Sequence, residues 1–214
     1  MTPDTLEKLL LLTLGWLLGL LGPVVTDAIR KRRENSRVRF AIFAELREVS
    51  YKLALANFLV NTHLGTIDKP YLEWLKCVTE NYIGPAVVPS AQQGIEMQLS
   101  LAPDQLNALT RRLSTPKGQN IIIPKMHVPL LDARLSALLY LDYDVQVRLL
   151  DIRTHIILAN ELVDQSRYYA GLTFGKLEGE NYQLVVGNLE GCLKQYAERS
   201  QIIVSKIGEL DAVV

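Results

Sequence analysis

The sequence predicts an all-α protein, with a single N-terminal transmembrane helix followed by a cytoplasmic up-and-down helical bundle that carries a proline-rich irregular insert. Three observations predict it. Residues 9–25 hold no charge across 17 positions. Three later segments repeat apolar residues at alternating spacings of four and three, the period of a helix with one buried face. Six of the nine prolines fall in residues 83–129, where continuous helix is excluded. The division expected is a transmembrane anchor over residues 1–29 and a helical-bundle domain over 30–214.

The uncharged run reads LLLLTLGWLLGLLGPVV. At 1.5 Å per residue it covers roughly 26 Å, close to a hydrocarbon core of about 30 Å. Leu6, Ala28 and Ile29 lengthen it, and Lys8 can reach back to the headgroups. Thr2 and Pro3 suit the start of a helix, as cap and first helical residue. A cleaved signal peptide would carry its basic residues before the apolar run. Here Arg30, Lys31, Arg32, Arg33, Arg37 and Arg39 follow it, opposed only by Glu34. An interfacial helix would show a polar face, and this run has none.

Lys and Arg resist translocation, so the flank bearing Arg30, Lys31, Arg32 and Arg33 is expected in the cytoplasm and the N-terminus outside. That is a single-pass protein of the inner or plasma membrane. The same four residues are expected to contact anionic lipid headgroups, at about 1 kcal/mol per charge near the surface. Nucleic acid is disfavoured as a partner, because no aromatic side chains interleave with the charges. Across the whole chain, 23 basic and 23 acidic residues balance, so no global field favours it either. Within the span, Gly15 and Gly19 make a GxxxG pair with Gly22 close to the same face. Small residues four apart let two membrane helices approach closely. Pro23 removes one helical hydrogen bond and is expected to kink the inner end.

Beyond the anchor, a long helix is expected over residues 26–61, continuous with the span or nearly so. Ile42, Leu46, Val49, Leu53, Ala56 and Val60 mark its apolar face, and Glu48 and Lys52 pair at i,i+4 on another. Gly65 is the stop signal. A shorter helix over residues 68–82 takes Pro70 in its first turn. Residues 83–129 are expected as an irregular connector with one or two short helices, the clearest over 104–113. A turn is expected at residues 115–118. Ile121, Ile122 and Ile123 have strand composition without an evident partner.

A second long pattern covers residues 130–169. Leu131, Leu135, Leu138, Val145, Leu149, Ile152, Ile156, Ala159 and Val163 keep its register, and the missing member is Asp142. A break near 141–143, or a buried partner for the Asp142 carboxylate, would resolve that conflict. A third pattern, residues 180–207, carries Val185, Leu189, Cys192, Tyr196 and Ile203 on its apolar side. Such helices gain their stability mainly by packing, which calls for a bundle.

Catalytic signals are sparse, and this points away from an enzyme. Cys77 and Cys192 match no metal spacing, and a disulfide is disfavoured in a reducing compartment. No Gly-rich phosphate loop and no nucleophile elbow is present, and neither cofactor nor metal is expected. The one suggestive polar set is Asp144, Arg148, Asp151 and His155, which share a helical face. Arg148 and His155 satisfy an Arg-x6-His spacing. This resembles the Arg-x4–6-His motif of HEPN-type ribonucleases, which are likewise small helical bundles. The resemblance implies His155 as general acid/base and Arg148 as a phosphate or transition-state contact. The simpler reading of the same four residues is a ladder of exposed ion pairs.

The leading functional expectation is a membrane-anchored, self-associating helical protein acting as an interaction or effector module. A ring of such chains would cluster the spans into a pore, by analogy with membrane-anchored bundles used as defence effectors. The alternatives are a membrane-tethered ribonuclease using Arg148 and His155, and a scaffold recruiting a cytoplasmic partner through residues 83–129.

Overall fold

The computed structural model describes residues 3–116, 121–175 and 179–211. Every regular element among them is helical: α1 (Pro3–Leu64), α2 (Lys69–Glu80), α3 (Pro89–Leu99), α4 (Pro103–Leu113), α5 (Pro129–Ala133), a 3-10 segment (Leu135–Tyr140), α6 (Tyr143–Thr173) and α7 (Gly179–Asp211). The chain forms two compact units, Met1–Ile42 and Phe43–Val214, and their boundary falls inside α1.

The first unit is the N-terminal part of α1, and the helix runs through Pro23 without interruption. Leu11, Leu12, Leu14, Trp16, Val25 and Ile29 are all exposed there. Among the described residues, no helix is long and apolar enough to cross a membrane. The expected span is therefore unsupported on those residues. Much of the apolar run, including Leu9, Leu10, Leu17, Leu18 and residues 20–24, has side chains outside the described set.

The second unit is a helical bundle. Its largest packed pair is α6 against α7. The pairs Arg148–Glu209, Asp151–Lys206 and Gln165–Cys192 join positions that run in opposite chain directions, so the two helices are antiparallel. Arg47 pairs with Asp211, and the Asn57 amide donates to the Ala197 carbonyl. The C-terminal part of α1 thus also runs antiparallel to α7. The apolar residues that the four-three spacing marks on these helices are buried from Ile42 through Val60, from Val145 through Val163 and from Val185 through Ile203.

Local chemistry explains the element boundaries. Gly65 ends α1 at φ +67°, and the Thr66 N–H reaches back to the Asn61 carbonyl at 3.0 Å, the wrapped C-terminus that a left-handed residue permits. A Cβ on Gly65 would stand 3.0 Å from the Ser114 Cβ, so both conformation and space select glycine. Asp68 caps α2 by accepting from the Tyr71 N–H at 2.9 Å, with Pro70 in the first turn. Proline also opens α3 at Pro89, α4 at Pro103 and α5 at Pro129, where its missing N–H costs no helical bond.

Residues 83–129 hold two short helices, α3 and α4, within the number expected there, and Pro89 and Pro103 start them. Two expectations are corrected by these facts. Asp142 is exposed and takes the N-cap position of α6. It is not a buried polar group, since the chain breaks there and begins a new helix. Ile121, Ile122 and Ile123 form no strand. Residues 117 and 118 of the expected turn at 115–118 lie outside the described set.

The remainder of the 83–129 region is fastened to the helices at specific points. The Tyr51 hydroxyl accepts from the Val88 N–H at 2.8 Å, and the Thr115 N–H donates to the His63 carbonyl. The Asn160 side chain accepts from the Met126 N–H at 2.9 Å and donates to the Met126 carbonyl at 2.7 Å. A side-chain amide here does what a neighbouring strand would do for an extended segment. Arg167 adds a bond to the Ile123 carbonyl, and Lys125 pairs with Asp164. Glu45 of α1 accepts from both the Leu130 and Leu131 N–H groups at the start of α5, a charged cap on that helix.

Candidate functional site

The polar set singled out in the sequence lies along the seam between α6 and α7. Lys206 Nζ stands 2.6 Å from Asp151 Oδ2, and Arg148 stands 3.8 Å from Glu209. Arg199 Nη1 lies 3.0 Å from His155 Nδ1. Arginine has no acceptor, so the guanidinium donates and Nδ1 accepts. The neutral imidazole then carries its proton on Nε2, which faces Asp151 Oδ1 at 3.6 Å. Asp144 sits exposed in the first turn of α6, where a negative charge favours the helix N-terminus.

The electrostatics follow from those contacts. Burial holds the His155 pKa below its ordinary value, with Arg199 and Lys206 acting in the same direction and Asp151 against them. The hydrogen bond from Lys206 holds Asp151 below the usual carboxylate range. His155 is therefore a neutral link between two helices near neutral pH, with its basic nitrogen already occupied by Arg199. Arg148 is engaged two turns away with Glu209. Each of the two residues expected to share an active site is matched to its own partner on α7.

The glycine pair behaves differently. Gly15 and Gly19 are exposed, and a Cβ at either would meet nothing within 4 Å. Among the described residues, nothing packs closely enough to call for glycine at either position. Gly22 lies outside the described side chains, as do Lys31 and Arg32 of the basic cluster. Arg30 and Arg33 are exposed and line an open groove of α1 with Thr26, Ile29, Glu34 and Arg37.

The structure adds one feature that the sequence did not announce. A cleft of about 310 Å³ opens between α1, α2 and α7, walled by Tyr51, Trp74, Val78, Tyr82, Val204 and Ile207. Tyr51 and Tyr82 stack at 4.4 Å between centroids. The lining charges, Arg47 and Asp211, bond to each other at 2.9 Å, leaving the walls without net charge. Its residues come from three separated stretches, so no local pattern could have assembled it. Cys77 is exposed on its wall, while Cys192 is buried in the core with its thiol pushed up by burial. Among the described residues, no cluster of three or more His, Cys, Asp or Glu side chains could hold a metal ion.

Comparison with protein-family models, with curated proteins and with solved structures finds no match to this chain.

Proposed function

We propose that the protein is a single-pass, membrane-anchored helical module that works by self-association, with its bundle on the cytoplasmic face. The observation that carries this reading is the uncharged run of residues 9–25 followed at once by Arg30, Lys31, Arg32 and Arg33. Such a run has its lowest free energy in hydrocarbon, and such a flank has its lowest beside anionic headgroups. The exposure of Leu11, Leu12, Leu14 and Trp16 supports it, with Leu12 at 75% and Trp16 at 67%. Side chains of that size left bare in water would be an aggregation liability. Glycine at 15 and 19, where the chain itself does not need it, supports helix-to-helix contact within the bilayer. Clustering of three or more spans would place them around a common axis, the arrangement a pore requires.

Two experiments test the proposal. The first is topology: in a Cys77→Ser background, Thr5→Cys should react with a membrane-impermeant maleimide on intact cells. In the unaltered background Cys77 should react only after permeabilisation. The reverse labelling would reject the orientation. The second is assembly: native mass spectrometry in mild detergent should show oligomers, and a strictly monomeric protein would reject self-association together with the pore.

A further inference from the structure

The cleft between α1, α2 and α7 does not end at Trp74. Trp74 and Ser205 also line a second, more open hollow of about 650 Å³, to which Asn61, Asp68, Tyr71 and Gln201 contribute. The two hollows adjoin along the groove between α2 and α7, with the Trp74 ring as their common wall. Tyr71 braces that ring at 5.5 Å between centroids. On the cleft side Tyr51 and Tyr82 stack at 4.4 Å. All of these residues belong to Phe43–Val214.

Charge separates the two hollows. In the cleft, Arg47 and Asp211 neutralise each other. In the outer hollow, Asp68 is the one charged lining residue among those described. One of its carboxylate oxygens accepts from the Tyr71 N–H at 2.9 Å, and the other has no partner among the described residues. Asp68 stands six residues before Trp74, about 9 Å along the helix axis. Gly208 of α7 lines the cleft as well. Glycine inside a helix costs stability relative to alanine, yet a Cβ there would meet nothing within 4 Å. Packing among the described residues does not ask for glycine at 208, whereas an occupied cleft does.

The geometry points to a binding site for a small aromatic amine, with its ring in the cleft against Trp74 and its ammonium group at Asp68. A cleft of about 310 Å³ lies within the ~300–1,000 Å³ of small-molecule sites. Aromatic walls take an aromatic ring by offset stacking or edge contact. The ammonium supplies what Asp68 lacks, a cation that donates a charge-assisted hydrogen bond. The neighbouring faces of Tyr71 and Trp74 also favour positive charge. A short alkyl tether between ring and nitrogen matches the separation of Trp74 from Asp68. The site lies wholly within the bundle and stands apart from the membrane reading and from self-association.

Tryptophan fluorescence of the full chain in mild detergent tests it, in a Trp16→Phe background that leaves Trp74 as the sole tryptophan. Phenethylamine is the probe, with 2-phenylethanol as its neutral counterpart and 3-phenylpropionate as its anionic one. Phenethylamine should change the Trp74 emission saturably and bind about tenfold more tightly than 2-phenylethanol, the gain of one hydrogen bond between charged groups. 3-Phenylpropionate should bind more weakly than either. Asp68→Asn keeps the helix cap, since asparagine caps as well as aspartate. It should bring phenethylamine down to the level of the alcohol. Gly208→Leu should abolish binding of both while its circular dichroism stays that of the unaltered protein. Binding indifferent to Asp68→Asn overturns the ammonium contact, and binding indifferent to Gly208→Leu overturns the cleft. No saturable change with phenethylamine, or a preference for 3-phenylpropionate, overturns the site altogether.

Discussion

Helix α1 carries apolar residues along most of its length, yet its two parts treat them in opposite ways. In Met1–Ile42 the described leucines and Trp16 are exposed, whereas Leu46, Val49 and Leu53 in Phe43–Val214 are almost wholly buried. The patterns differ accordingly. Residues 9–25 are uncharged on every side, while the later part interleaves its apolar residues with charged ones, Glu45, Arg47, Glu48 and Lys52 among them. An all-round apolar helix needs an apolar solvent, and a striped one needs only a neighbouring helix. One helix thus carries two patterns, and the pattern changes toward the boundary between the two units.

Truncation of matched leucines separates the two parts of α1 most strongly. Leu53 is fully buried, so Leu53→Ala should cost about 2–5 kcal/mol of bundle stability. Leu12→Ala should leave the thermal midpoint of the bundle in detergent unchanged. Equal effects at both sites would erase the distinction. A second test removes a buried polar link. Asn57 is fully buried, donates to the Ala197 carbonyl and accepts from the Tyr71 hydroxyl. Asn57→Ala strands both partners and should cost about 1–3 kcal/mol, read by chemical denaturation. Gly65→Ala comes next, at about 1 kcal/mol or more for the left-handed backbone, with the added crowding against Ser114.

Two histidines of the bundle give a pH dependence of definite sign. Burial lowers the pKa of both His63 and His155 below the ordinary 6.5. The unfolded chain therefore takes up protons first, and stability should fall as pH drops below 6.5, levelling off once the folded-state values are passed. A thermal midpoint that rose on acidification through that window would contradict the assignment. His155→Asn should flatten part of the slope. The smallest effect belongs to the ion pairs along the seam between α6 and α7. Lys206→Met removes the Asp151 contact, both groups being well solvated, and should change stability by less than about 1 kcal/mol.

The features legible in the sequence were those that depend on neighbours along the chain. The four-three stripes, the Gly65 stop, the placing of Pro70 in the first turn of α2 and the break near Asp142 all rest on spacings of a few residues. What the sequence left obscure depends on distant partners. Asp151 and His155 could be placed on one helical face, but nothing local says that Lys206 and Arg199 meet them. Pro89 reads equally well as a breaker or a starter until the chain beyond it is seen to coil.

Alkaline carbonate extraction of membranes from cells expressing the full chain decides whether residues 9–25 form the proposed span. An embedded run keeps the protein in the membrane pellet, and Leu12→Arg/Leu18→Arg moves it to the supernatant. Release of the unaltered chain by carbonate would rule out the span.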